Sequence, residues 1–113
     1  MTSSLPKSRP RKNKKQLMPA PYRLLVTSFF EKDVKRQAKK DQRISKEIER
    51  LKEILEADPY NLSRRYDITK LKGIKPGQGQ FRIRIKDYRL RYDIFGQDVV
   101  LYSFRHRKDI YEI

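Results

Sequence analysis

Residues 80 to 95 read QFRIRIKDYRLRYDIF, with Arg82, Arg84, Arg89 and Arg91 interleaved among Phe81, Ile83, Ile85, Leu90 and Tyr92. Strand side chains alternate faces with period two. Phe81, Ile83 and Ile85 therefore share one face, and Arg82, Arg84 and Lys86 share the other. In the next run Leu90, Tyr92 and Ile94 take the apolar side, leaving Arg89 and Arg91 opposite. A tight turn at Lys86–Asp87 pairs the two strands and gathers four arginines on one patch. Like charges directly opposed on a sheet are destabilising, and Asp93 alone offers an acidic partner with the same phase. Set against a functional surface is the blander reading, that a cationic outer face keeps a sheet from aggregating. A guanidinium presents a planar fork of donors suited to bidentate phosphate contacts, so the pattern points to a surface for a phosphate chain.

The C-terminal segment YSFRHRKDIY, 102 to 111, adds Arg105, His106, Arg107 and Tyr111. His106 is the single histidine, which excludes a multi-histidine metal site. It is a candidate proton acceptor, set against the blander role of a packed or surface side chain. Tyr111 is read either as a site residue or as sheet-edge packing. No Ser/His/Asp order, glycine-rich phosphate loop or zinc-ligand spacing is present. The absence of cysteine excludes disulfides and thiolate metal sites and fits a reducing cytoplasm.

Periodicity also outlines the elements that must carry this surface. Tyr22, Leu24 and Val26 at period two predict a strand over 22–28. Ser28 precedes Glu31 by three positions, the capping-box spacing, and Phe30, Val34 and Ala38 form the stripe of a helix ending near Lys40. Ile44, Ile48, Leu51 and Leu55, with Ile54 beside them, predict a second helix, stopped at Ala57-Asp58-Pro59 because the residue before proline avoids helical geometry. Residues 60–79 read as loop. Strands follow at 80–86, 88–95 and 98–105. The order β-α-α-β-β-β predicts a two-layer α+β domain, a mainly antiparallel sheet packed against two helices.

The 113 residues suffice for one domain, and the net charge of +15, from 29 Lys+Arg against 14 Asp+Glu, calls for a polyanion or an acidic protein as partner. Residues 1–21 carry six Lys/Arg, four prolines and no acid, so they read as a basic disordered tail ahead of a domain over 22–113. Met18, just before that domain, is a candidate second start. No apolar run reaches the ~20 residues that span a bilayer, and the expected location is the cytoplasm.

The segments LKG (71–73), FRIRIKDYRLRYDI (81–94) and FRHRKDIY (104–111), in that order, resemble the RelE/ParE superfamily of type II toxins, in its RelE branch. The resemblance covers residues 22–113 and leaves the tail outside. It implies a toxin that enters the ribosomal A site and cuts mRNA there without metal or cofactor. A ribose 2′-OH attacks the adjacent phosphate, leaving a cyclic phosphate and a 5′-OH. Arg82 and Arg84 stand where the family has two functional lysines, and Arg89 matches its phosphate ligand. Arg105 matches a further arginine, with Arg107 taking that place if a gap is allowed, and Tyr111 matches the C-terminal tyrosine. The implied catalytic set is Arg82, Arg89, Arg105, His106 and Tyr111, with Arg84, Lys86, Arg91 and Arg107 as RNA contacts. Arginine stays protonated, so the base falls to His106, Tyr111, water or a ribosomal group. The implied partners are the ribosome, mRNA and an acidic, partly disordered antitoxin. Two other readings remain: a ParE-like inhibitor of DNA gyrase, and an inactive or nucleic-acid-binding protein of the same fold.

Overall fold

A computed structural model describes residues 21–110; residues 1–20, with most of the basic tail and Met18, and residues 111–113, with Tyr111, lie outside the described residues. The order is β1 (Arg23–Val26), α1 (Ser28–Lys40), α2 (Ile44–Ala57), β2 (Ile68–Lys70), β3 (Phe81–Ile85), β4 (Tyr88–Phe95), β5 (Asp98–His106) and α3 (Arg107–Ile110). The five strands form one sheet in the order β1-β5-β4-β3-β2. β1 runs parallel to β5 and every other pairing is antiparallel. The two-layer α+β architecture is the expected one, with a three-residue edge strand, β2, and a single-turn helix, α3, added to it.

Ile44, Ile48, Leu51, Ile54 and Leu55 of α2 are all buried, Leu51 and Leu55 completely. Full burial of such a side chain contributes roughly 1.5–3 kcal/mol. They pack with Phe30 of α1 against Ile83, Leu90, Tyr92, Val99, Leu101 and Phe104 of the sheet. Tyr92 brings a hydroxyl into this core and donates it to the Pro59 carbonyl at 2.7 Å. Burial pushes the Tyr92 phenol far up, so it stays a donor. Pro59 thereby both ends α2 and supplies the acceptor that its new neighbour needs.

Two local devices set how the sheet meets the helices. The β3–β4 hairpin turns at Lys86–Asp87 as expected, with Ile85 opposite Tyr88 and Lys86 in the left-handed region at φ 53. The second device is a β-bulge. Arg91 pairs with Ser103 but Tyr92 pairs with Leu101, which leaves Tyr102 as the extra residue on β5. Val99 and Leu101 face the core, and without the bulge Ser103 and Arg105 would follow them inward. The inserted residue reverses the phase, so Phe104 and His106 take the helix side and Ser103 and Arg105 turn to the other face.

Helix α1 begins one residue earlier than the capping-box reading places it. Thr27 is the N-cap, and its Oγ1 accepts from the Phe30 amide at 3.1 Å. The Thr27 hydroxyl also donates to the Leu101 carbonyl at 3.0 Å, which Ser28 inside the helix does not do. One hydroxyl thus caps the helix and ties it to β5. Thr27→Ala is expected to lower stability by about 0.5–2 kcal/mol in chemical denaturation, whereas Ser28→Ala leaves the midpoint near wild type.

Candidate phosphate-binding cleft

The sheet face turned away from α2 carries two rows of directly paired residues. In one, Arg84 lies opposite Arg89 and Arg89 opposite Arg105. In the other, Thr69, Arg82, Arg91 and Ser103 follow one another across four strands. Direct neighbours on a sheet have Cβ atoms roughly 4.5–5.5 Å apart, so five guanidinium stems are crowded onto a small area. They line a cleft of about 880 Å³ whose side wall is α1, through Phe29, Lys32 and Arg36.

The periphery of this cluster is neutralised. Arg84 Nε donates to Asp67 at 2.7 Å. Arg105 Nε donates to Asp33 at 3.3 Å, and Arg36 reaches the same carboxylate at 3.0 Å. Asp33 is buried because it also accepts the Phe104 amide at 2.9 Å. That amide lies on the edge of β5 beyond the end of β1, where no strand is present to pair with it. Arg91 donates to the carbonyls of Gln78 and Gly79 at 2.9–3.1 Å.

The centre is different. Among the described residues the Arg89 guanidinium has no hydrogen-bond or ion-pair partner, and the buried Nε of Arg82 has none either. A buried donor left unpaired costs about 1–3 kcal/mol, and each such group calls for an account, a bound water or ion among them. Arg82 and Arg89 sit on adjacent strands, diagonal across the two rows, and both face the cleft. The arrangement can clamp a tetrahedral dianion or an extended phosphodiester.

Asp93 does not neutralise the arginines, contrary to its phase in the sequence. It is almost wholly buried and accepts from the amides of Gly77, Gly79 and Gln80 at 2.6, 3.1 and 2.7 Å. The loop over 71–80 folds onto it and becomes the rim of the cleft. Gly79 is required there: it has φ +83, and a Cβ would stand 3.0 Å from the Arg91 Cβ. Beside it, burial and then the Asp93 charge raise the Tyr102 phenol, which keeps its proton and acts as a donor.

The expected site residues divide by this geometry. Arg82, Arg84, Arg89, Arg91 and Arg105 come together in the cleft. His106 does not, because consecutive strand residues point to opposite faces and Arg105 holds the cleft side. The imidazole lies edge-on to Tyr88 at 5.2 Å between ring centres, and Nδ1 accepts from the Lys108 amide at 3.1 Å. Lys86 is a turn residue that pairs with Glu47 of α2 at 2.7 Å, and Arg107 lies near Asp87, at 3.7 Å, outside the cleft. Tyr111 falls outside the described residues. Sequence reading missed Phe29, Lys32 and Arg36, although their i, i+3, i+7 spacing marks one helix face. It also missed Asp33 and Gln37, polar members of the stripe that Phe30, Val34 and Ala38 define.

Gln37 donates to Asp109 at 2.6 Å and fastens the C-terminal turn to α1. Burial would raise the Asp109 carboxyl, but the bonds from Gln37 and the His106 amide, with the Lys40 charge, outweigh it and hold it below the ordinary range.

The family model described as "ParE toxin of type II toxin-antitoxin system, parDE" matches residues 24–111. The chain belongs to the RelE/ParE family of type II toxins. A solved structure agrees: the RelB-RelE antitoxin-toxin complex from Methanococcus jannaschii contains a chain 29% identical to this one, with a TM-score of 0.60. The alignment covers 78% of this toxin and 95% of that chain. No curated protein matches. Among the described residues of the toxin no helix is long and apolar enough to cross a membrane.

Two outcomes follow from these contacts. Asp93→Ala strands three amides at once and is expected to lower stability by at least about 2 kcal/mol, with faster amide exchange at Gly77, Gly79 and Gln80. For Asp109 the folded value lies below the unfolded one of about 3.9. Its contribution is therefore complete above that pH and lost as pH falls from about 4 through the folded value. Thermal melts from pH 6 to pH 2 should show Asp109→Asn with a shallower acid loss than wild type.

Proposed function

We propose that this toxin is a metal-independent endoribonuclease that cuts messenger RNA on the ribosome. The observation that carries the reading is the guanidinium pair of Arg82 and Arg89, without partners among the described residues, at the centre of a cleft whose other arginines are already bound. In the reaction the 2′ oxygen forms a bond to the adjacent phosphorus and the bond from phosphorus to the 5′ oxygen breaks. The 2′ proton leaves to an acceptor, the 5′ oxygen gains a proton, and the products carry a 2′,3′-cyclic phosphate and a 5′-OH. Negative charge grows on the phosphorane oxygens, where preorganised donors stabilise the transition state. Arg82 and Arg89 are the clamp, with Arg84 and Arg105 flanking it and Arg91 holding the rim.

The described cleft supplies charge rather than a base. Guanidinium groups stay protonated, Tyr102 holds its proton, and the oxygens of Asp33 are occupied by Phe104, Arg105 and Arg36. The 2′ proton passes in this reading to Tyr111, to water or to a ribosomal group. The partner is an antitoxin, as in the RelB-RelE complex, acidic enough to cover a chain of net charge +15. A second reading, inhibition of DNA gyrase, is favoured by the ParE description of the matching family.

Induced expression separates the two. Primer extension is expected to show message cut within ribosome-bound codons, whereas DNA breaks with filamentation would establish the gyrase reading instead. On purified ribosomes Arg89→Ala should cut about 10²–10³-fold more slowly with an unchanged melting temperature, and His106→Ala should cut at the wild-type rate.

A further inference from the structure

Adjacent phenylalanines at the start of α1 have opposite fates. Phe30 is buried and meets Phe104 edge-to-face at 6.4 Å. Phe29 is 70% exposed and stands in the wall of the arginine cleft. A lone exposed apolar residue is ordinary on a protein surface, but this one shares a concave site with Arg82 and Arg89. Lys32 and Arg36 follow it on the same helix face, so the wall offers an aromatic ring and then two cations. Phosphate on guanidinium with a base on an aromatic ring is the pairing by which proteins hold single-stranded nucleic acid. A duplex hides its base faces in the stack, so the arrangement suits an unpaired strand.

We propose that Phe29 is a stacking platform for one unpaired base of the RNA strand whose phosphate lies on Arg82 and Arg89. This rests on the endoribonuclease reading and adds a base subsite on α1 to it. The ring is already exposed and lies outside the hydrophobic core, so its removal leaves that core intact. Its contribution is to hold the strand splayed across the cleft, with the base against the helix and the phosphate against the sheet.

The test is single-turnover cleavage of a short message programmed in the ribosomal A site, by full-length wild type, Phe29→Ala and Phe29→Tyr. Phe29→Ala is expected to lose about 5- to 150-fold in kcat/KM with an unchanged melting temperature, and Phe29→Tyr to recover most of it. Abasic nucleotides placed singly along the message should weaken wild type at one position, and Phe29→Ala should show no further loss there. Cleavage by Phe29→Ala at the wild-type rate, or equal abasic penalties in both proteins, overturns the subsite while leaving the endoribonuclease reading in place. Full cleavage by Phe29→Ala with weakened hold on the antitoxin makes the ring a protein contact and also overturns it. If wild type cuts no ribosome-bound message, the endoribonuclease reading fails first and the subsite falls with it.

Discussion

Mutual repulsion among the arginines on one side of the sheet is the constraint that the rest of the molecule accommodates. Arg84, Arg89 and Arg105 are direct neighbours across three strands, an arrangement that a sheet disfavours. It persists because the opposite face is held by a continuous apolar core from β3, β4 and β5 against α2. The carboxylates are placed at the margin, with Asp67 on one flank and Asp33 on the other. The centre is left cationic. A positive field concentrated in a concavity draws anions from solution before contact.

The bulge at Tyr102 is what makes the third strand contribute to this field. It turns Arg105 toward the cleft and sends His106 to the helices. A single inserted residue therefore decides whether a histidine or an arginine lines the cleft. The cleft is thereby left with cations and no imidazole among its described lining residues.

Much of this was legible in the chain itself. Five apolar residues at helical spacing identify α2 because nothing else satisfies them, and strict alternation identifies the β3–β4 hairpin and its cationic face. What escaped lacks a local signature. Period-two reasoning assumes no inserted residue, so the bulge hid, although the spacing of three from Leu101 to Phe104 betrays it. Thr27 and Ser28 have the same capping chemistry, and only the Leu101 carbonyl, distant in sequence, favours Thr27. Asp93 looked solvent-facing because the loop that buries it comes from 71–80 and follows no period. α3 and β2 are too short for either pattern to register.

Asp33 joins two things that are normally separate. Its carboxylate replaces the missing strand partner of the Phe104 amide and at the same time grips Arg105 and Arg36, one from the floor and one from the wall. At the cleft, alongside the Thr27 tie at the start of α1, this side chain spans the gap between helix and sheet. Widening it would strip a backbone amide of its only acceptor and leave a buried charge without its counter-ions. The separation of α1 from β5 at this point is therefore set by the reach of one carboxylate, and with it the width of the cleft between them.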